Sequence, residues 1–311
     1  MRLSERQSGA ELPPAAESRI AEIRRSGTWG SALSADEFTA IRAVGFEPVG
    51  QVLGAAVYNI GYTGGWACPG AWAGYGGFAT PYQSVTAVSG TGSMGSFGPM
   101  VAALYEARRK ALGRMSEECA ELGGHGVVGV SLTIGQFPAG GLEFKAIGTA
   151  VRAPGGVPLR QPFTSDLSGQ DFAKLITAGW APAGLALGIS VGARHDDWQT
   201  VTQTRWGSGN SEVTGYTDLV NQARHDARTQ LDRDVARIGA DGVVVKSMEM
   251  RIRERECPMQ EHRRDHIAEV TIIGTAIARF GRSRPRRDGS LAILSLDPQR
   301  RQAARVRLGA Q

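Results

Sequence analysis

The sequence predicts an α+β protein built from two similar units, each a three-stranded antiparallel sheet with one long helix and a short N-terminal helix. The first observation behind this prediction is an internal repeat. Residues from about Leu33 to Arg152 recur from about Leu167 to Phe280, at offsets of 134, 116 and 126 positions. The second is a long amphipathic helix pattern in each copy, and the third is a pair of apolar strand patterns after each of these helices.

Each copy opens with the pattern of a short helix. Ser34 and Ser168 are suitable N-caps because an acidic residue follows each of them three positions later, as in a capping box. A glycine ends each helix, Gly45 in the first copy and Gly179 in the second, as helix C-termini prefer. An apolar strand punctuated by glycine comes next, at Val49–Ile60 and Ala183–Val191.

The long helix of each copy has an apolar residue at every third or fourth position, which predicts one buried face. These positions are Leu104, Ala107, Ala111, Met115, Cys119 and Leu122, and then Val220, Ala223, Ala227, Leu231, Val235 and Ile238. Two strands complete each copy, Val127–Ile134 with Leu142–Arg152 and Val243–Arg253 with Ile267–Arg279. Such small sheets leave open edges, and pairing edges between units is the natural way to cover them.

The termini and the linker differ from the repeats in composition. Residues 1–32 are a polar extension with a possible helix, residues 153–166 a linker, and residues 281–311 a tail with eight arginines and two aspartates. That tail has a net charge of +6. Since the whole chain has a net charge of +5, the rest of the chain carries −1. No aromatic residue is interleaved with the arginines, so we expect a solvated extension and no nucleic-acid partner.

The chain has the composition of a cytoplasmic protein. Residues 1–25 have no apolar core of a signal peptide, and no stretch is long and apolar enough to span a membrane. The three cysteines, Cys68, Cys119 and Cys257, are too few for a disulfide framework.

Four motifs of the first copy resemble the YbjQ-like family, whose label refers to heavy-metal binding. They are Glu47–Gly54, Ala107–Leu122, Gly126–Val130 and Ile147–Val151, and the second copy carries weaker forms of all four. The two copies together span roughly 230 of the 311 residues. The resemblance implies tandem dodecin-like units and a homo-oligomeric ring, commonly a pentamer, but no proven activity. The first copy has an insertion of 18 residues between its first strand and its long helix, and the second has ten extra residues in its last hairpin; both depart from the family pattern.

The repeat itself tests the metal label, because a ligand needed by both copies should recur. Cys119 aligns with Val235 on the apolar helix face, which indicates packing. His125 aligns with Asp241 in a glycine-rich turn and His225 aligns with Arg109, so neither histidine recurs in the other copy.

One loop of the second copy could hold a metal ion, the one cofactor that the sequence suggests. Cys257, His262 and His266 could supply three ligands. A fourth ligand is missing and arginines flank the histidines, so a solvated polar loop is the favoured interpretation.

Catalytic patterns are weak. His195, with Asp196 and Asp197 beside it, could act as a base with acidic partners, but a polar loop is favoured. The glycine-rich residues 90–95 lack the acidic residue that a dinucleotide site needs. We therefore assign no catalytic residue and predict that the protein is not an enzyme.

Residues 48–105 contain no charged residue and no histidine, yet they hold nine of the 21 aromatic residues. The favoured interpretation is burial at domain or subunit contacts. The alternative is a functional apolar surface that docks a membrane or a protein partner through residues 61–100. The candidate contact residues are Trp66, Trp72, Tyr75, Phe78 and Tyr82.

The sequence thus predicts a non-enzymatic, homo-oligomeric structural or scaffold protein that forms a ring, with the pentamer taken from the resemblance. One alternative is a heavy-metal or small-molecule binding module. Another is a membrane- or partner-docking protein that uses the uncharged insertion.

Deletion of residues 66–82 separates the two interpretations of the uncharged stretch. If the stretch is buried at contacts, the deletion should destroy assembly, as measured by the mass in solution. A docking surface predicts the opposite result: liposome or partner binding is lost while the oligomer persists.

Overall fold

The computed structural model describes residues 12–28, 30–59, 86–88, 97–138, 141–153, 155, 161–207, 209–256 and 264–280. The chain divides into Met1–Phe280 and Gly281–Gln311, and the second unit lies outside the described residues. The first unit is an α+β structure with two sheets. We refer below to residues 30–153 as the N-terminal half and to residues 161–280 as the C-terminal half.

The described residues form six helices and eight strands. The helices are α1 (Pro14–Ser26), α2 (Ala35–Ala43), α3 (Gly98–Glu121), α4 (Gly169–Thr177), α5 (Trp198–Gln203) and α6 (Thr214–Ile238). The strands are β1 (Glu47–Tyr58), β2 (Thr86–Val88), β3 (Gly126–Phe137), β4 (Gly141–Arg152), β5 (Phe163–Thr164), β6 (Trp180–His195), β7 (Gly242–Glu256) and β8 (Arg264–Arg279).

Each half forms the predicted antiparallel core of three strands, but each sheet has four. The first sheet has the order β1-β4-β3-β5 and the second the order β2-β6-β8-β7. The fourth strand is short in both, and in each case it comes from outside the half that it extends. β5 lies in the stretch predicted as a linker and pairs in parallel with β3, whereas β2 follows β1 in the chain and pairs with β6. The prediction of three strands per sheet was wrong, because neighbouring segments cover sheet edges that the repeat leaves open.

Local sequence signals account for most element ends. The Ser34 hydroxyl accepts a hydrogen bond from the Glu37 backbone N–H, and the Glu37 side chain bonds back, which completes the predicted capping box. The Ser168 hydroxyl accepts a hydrogen bond from the Asp171 N–H at the start of α4. The predicted strands and long helices are present with ends shifted by a few residues; β6 is extended at both ends. β2, β5 and α5 were not predicted, and α1 lies in the extension where a helix was only a possibility.

Aligned residues of the two halves occupy equivalent positions. Gly54 of β1 lies against α3 and Gly188 of β6 lies against α6, and at either position a Cβ would collide with a helix carbonyl oxygen. Both first strands have a bulge directly after their proline, between Pro48 and Gly50 and between Pro182 and Gly184. The helices can therefore pack closely on the sheets in both halves.

The hydrophobic core of the N-terminal half extends into the C-terminal half. The face of α3 that was predicted to be apolar is buried from Leu104 to Cys119 against β1 and β4. Leu185 and Ile189 of β6 belong to the same buried cluster. The two halves thus share packing, and α3 contacts both.

A single methyl group at the crowded glycine should test the close helix–sheet packing. Gly188→Ala forces β6 away from Ala227 and Leu231 and should lower the free energy of unfolding by about 1–3 kcal/mol. Gly113→Ala is the control, because nothing lies near its Cβ position and alanine favours helix by about 0.5–1 kcal/mol. Denaturant unfolding measures both; equal stability of the two variants would contradict the packing.

Candidate functional site

The edge of β6 is covered by a side chain from the other half. The Tyr105 hydroxyl of α3 donates a hydrogen bond to the Leu187 carbonyl oxygen at 3.2 Å and accepts one from the Ile189 N–H at 2.9 Å. Burial raises the pKa of Tyr105, so the hydroxyl keeps its proton at neutral pH. Nearby, Asp234 accepts from the Leu187 N–H at 3.0 Å and lies 3.6 Å from Arg109 of α3.

The edge of β3 is covered by the segment that precedes α4. We call Thr164–Leu167 the second lead segment, and the aligned residues 30–33 before α2 the first lead segment. The Ser165 N–H donates to the Val127 carbonyl oxygen at 2.9 Å, and the Val130 N–H donates to the Ser165 carbonyl oxygen at 2.9 Å. The second lead segment therefore belongs to the C-terminal half in sequence but completes the sheet of the N-terminal half.

The same serine–threonine pair anchors each lead segment to its own half. The hydroxyls of Ser165 and Thr275 lie 3.1 Å apart, and those of Ser31 and Thr149 lie 3.2 Å apart. The backbone N–H after each serine donates to the threonine hydroxyl, at 3.1 Å for Asp166 and at 3.2 Å in the first half. Both lead segments are thus held in the same way, but among the described residues only the second pairs with a strand edge.

An aromatic cluster closes the joint between the halves. The ring of Phe46 lies edge-on to those of Phe172 and Phe163, with centroids 5.0 and 6.5 Å away. Val128 and Val151 of the first sheet are buried in the same cluster. This joint buries aromatic and β-branched side chains as a protein interface does.

The edge of β7 is the counterpart of the β3 edge, but no strand among the described residues pairs with it. Val128 of β3 is 0% exposed, whereas the aligned Val244 of β7 is 36% exposed and its neighbour Val245 is 48% exposed. Met248 and Ile252 are exposed farther along the same strand. The C-terminal half therefore exposes four apolar side chains along β7, the first two of them adjacent, while charged residues occupy seven of the 15 positions of this strand.

A second feature of the C-terminal half is a buried cluster of ionisable side chains. His195 Nδ1 lies 2.8 Å from Asp265 Oδ1, and the Arg255 guanidinium donates two hydrogen bonds to the other carboxylate oxygen at 3.0 and 3.1 Å. Burial acts to raise the pKa of Asp265, but the hydrogen bonds from His195 and Arg255 hold it below its ordinary value. Asp265 is therefore an ionised, fully buried carboxylate at neutral pH.

A second pair of a histidine and a carboxylate lies beside the first. His266 follows Asp265 in β8, and its cross-strand partner Arg194 precedes His195 in β6. His266 Nε2 is 3.1 Å from Asp196 and 2.8 Å from the Tyr216 hydroxyl, which itself donates to Asp196 at 3.2 Å. Burial, followed by the Asp196 charge, raises the pKa of Tyr216. Carboxylate and imidazole satisfy one another in both pairs, so the cluster ties β6, β8 and α6 together.

His195, Asp196 and Asp197, which the sequence analysis weighed as a catalytic group and did not assign, take structural positions. His195 and Asp196 are buried in the two pairs, and Asp197 caps α5 by accepting from the Thr200 N–H at 2.7 Å. The prediction of a polar loop here was wrong, since β6 runs to His195 and the cluster is buried. The sequence did not indicate Asp265 or Tyr216, because their partners lie 70 and 20 positions away.

Of the three predicted metal ligands, the structure describes one. His266 lies in β8 within the cluster described above, whereas Cys257 and His262 lie outside the described residues. Across the part of the chain that the structure describes, no group of three or more His, Cys, Asp or Glu residues is placed to hold a metal ion. The metal site of that loop stays a prediction.

The remaining predicted residues divide between core and undescribed stretches. Cys119 is fully buried in the first core, where burial raises the pKa of its thiol to about 12, so it packs as an apolar residue. Trp66, Trp72, Tyr75, Phe78 and Tyr82 lie outside the described residues. Within the uncharged stretch, β2 pairs with β6 and the Tyr105 hydroxyl bonds to the same strand, so these two parts of the stretch make contacts between the halves.

None of the helices in the described ranges is both long and apolar enough to cross a membrane.

Comparison with known proteins places the chain among relatives. A family described as "Putative heavy-metal-binding" matches residues 79–154. The encapsulin nanocompartment protein Rv1762c of Mycobacterium tuberculosis is 34% identical over 243 residues, which cover 76% of this chain and 82% of that protein. The chain belongs to the family of that encapsulin nanocompartment protein.

The family match and the relative cover different parts of the molecule. The matched residues 79–154 run from before β2 through α3, β3 and β4, so they contain the α3 surface and the β3 edge that meet the C-terminal half. The similarity to the encapsulin nanocompartment protein extends over a much longer stretch, so both sheets contribute to membership of its family. No solved structure matches the chain.

The lowered pKa of Asp265 predicts how its removal acts on stability. The ionised carboxylate stabilises the fold above the unfolded-state pKa near 3.8, and this contribution is lost as the pH falls through the lower folded-state pKa. Asp265→Asn should cost about 1.5–3 kcal/mol at pH 7 and less below pH 4. Urea unfolding at both pH values measures this difference. The exposed Asp232→Asn is the control, and an equal effect of the two variants would count against the buried network.

Proposed function

We propose that this protein is a non-enzymatic structural component of a nanocompartment, and that it self-assembles into a ring. The observation that carries the proposal is the uncovered edge of β7, which runs for 15 residues beside a sheet whose other strands are largely buried. The backbone groups of an edge strand are a template for pairing with another chain, and at Val244 and Val245 this edge also exposes two adjacent apolar side chains, ahead of the charged residues of the strand.

Tandem units are part of the proposal. Two YbjQ-like, dodecin-like units in one chain explain why aligned serines, threonines, glycines and bulges make the same contacts in both halves. Copies of a two-unit chain that join end to end produce a closed ring or an open filament. We favour a closed ring, and the pentamer is the size that the resemblance suggests.

The nanocompartment named in this proposal is inferred from the similar protein of Mycobacterium tuberculosis. Its name places that protein in an encapsulin nanocompartment, and the similarity covers most of both chains. A compartment is built by repeated contacts between identical chains, which is what an open edge and a segment able to cover it provide.

The buried histidine cluster supports a structural role over catalysis. Its imidazoles and carboxylates are paired with each other, and its members are less than a tenth exposed, apart from Tyr216 and Arg255. A general base has to reach a substrate proton, and these side chains are engaged with one another.

The mass of the chain in solution tests the proposal. We expect a multiple of the 33.0 kDa chain mass by light scattering, about 165 kDa for a pentamer, and closed particles by electron microscopy. A chain that stays at 33.0 kDa across the accessible concentration range would contradict self-assembly.

A further inference from the structure

We infer that the β7 edge at Val243–Lys246 is covered by the first lead segment of a second copy of this chain, which joins the copies head to tail. The inference rests on the proposed self-assembly and adds which two surfaces meet. The contact would repeat, between chains, the joint that the two halves make within one chain.

The internal joint shows what the repeated contact would contain. The second lead segment lies along Val127–Val130 of β3, with Gly129 N–H donating to the Leu167 carbonyl oxygen at 3.0 Å. The aligned strand is Val243–Lys246 of β7, and the aligned lead segment is residues 30–33. Both partners of the contact are therefore present in every chain, and the serine–threonine pair already holds the first lead segment in the required conformation.

Burial shows that both partners are open. Ser165, Asp166 and Leu167 of the second lead segment are buried. The aligned Ser31 and Leu33 are half-buried and Ala32 is exposed. The two strand edges differ in burial in the same way. Val128 of β3 is fully buried, whereas the aligned Val244 of β7 is exposed.

The joint is directional. Glu37 of α2 accepts a hydrogen bond from the Gly169 N–H of α4 at 3.1 Å. The residue aligned with Glu37 is Asp171, whose side chain is 55% exposed. A two-fold symmetric contact would cover Glu37 and the aligned Asp171 alike. Because the contact uses Glu37 and leaves Asp171 exposed, the two halves meet head to tail, and one unused surface is left on each half. In the assembly, Asp171 would face the N-terminus of α2 of the next copy.

The chain-to-chain contact is smaller than the internal joint. Tyr105 and Arg109, which bind the β6 edge and Asp234, align with Asn221 and His225. The carboxylate aligned with Asp234 is Glu118, and it already pairs with Arg19 of α1 in the same chain. The contact between chains would therefore lack the counterpart of the ion pair between Arg109 and Asp234. We therefore expect copies to separate on dilution before the chain unfolds.

A charge placed on the β7 edge tests the contact. Val244→Asp puts a carboxylate where the internal joint has fully buried Val128, and should weaken self-association about a hundredfold. Ile252→Asp is the matched control: it lies on the same strand at 51% exposure, and the aligned Gln136 is exposed in the internal joint. Circular dichroism checks that both variants are folded, and the mass is measured over a dilution series.

A cysteine pair tests the register without disturbing the fold. Val127 pairs with Thr164 across the internal joint, so Gly30→Cys and Val243→Cys should form a disulfide between copies. The variant is made with Cys68→Ser and Cys257→Ser, oxidised with diamide and separated without reductant. We expect a ladder of linked chains, and no ladder from Gly30→Cys with Ile252→Cys.

The results separate this inference from the proposal on which it rests. A wild-type oligomer that gives no ladder and keeps its mass with Val244→Asp overturns the lead-segment contact and leaves self-assembly standing. A wild-type monomer overturns both. A ladder together with dissociation by Val244→Asp alone establishes the contact.

Discussion

The backbone groups at the edges of two small sheets are the constraint on which the rest of the structure depends. A sheet of three long strands leaves N–H and C=O groups unpaired along its outer strands, and each unpaired group that becomes buried is costly. The chain meets this constraint at β3 with a lead segment from the other half, and at β6 with Tyr105 and β2. Because the covering segments are exchanged between halves, neither sheet is complete without the other half.

The same constraint explains the asymmetry of the molecule. One lead segment and one strand edge satisfy each other inside the chain, which leaves one of each at its ends. β7 is the outer strand of its sheet and exposes valine, methionine and isoleucine side chains between charged ones. A monomer with such an edge is prone to associate, and an ordered head-to-tail contact is a specific form of that association. The assembly that we propose would thus repeat, between copies, an interface already present within the fold.

The buried histidine cluster gives the C-terminal half a different kind of support. Asp265 and Asp196 bring two carboxylates into the sheet, and each is matched by an imidazole and by a guanidinium or a phenol. Breaking such a buried pair costs more than its formation contributes, so the cluster fixes the ends of β6 and β8 in one arrangement. The N-terminal half has Ala139 and Gly140 where the C-terminal half has Asp265 and His266, so this support belongs to one half only.

The sequence by itself determined the elements whose causes are local. Caps at Ser34 and Ser168, the apolar faces of α3 and α6 and the alternation of the strands are set by neighbouring residues, and they predicted the α+β class and the packing role of Cys119. The tertiary structure decided which edges are covered and by what, because the contacts of Tyr105 with β6 and of Asp265 with His195 join residues 70 to 84 positions apart. The aligned serines and threonines were visible as repeats, but their role depends on a neighbouring strand edge. Only the folded chain shows that one such edge is occupied and the other is open.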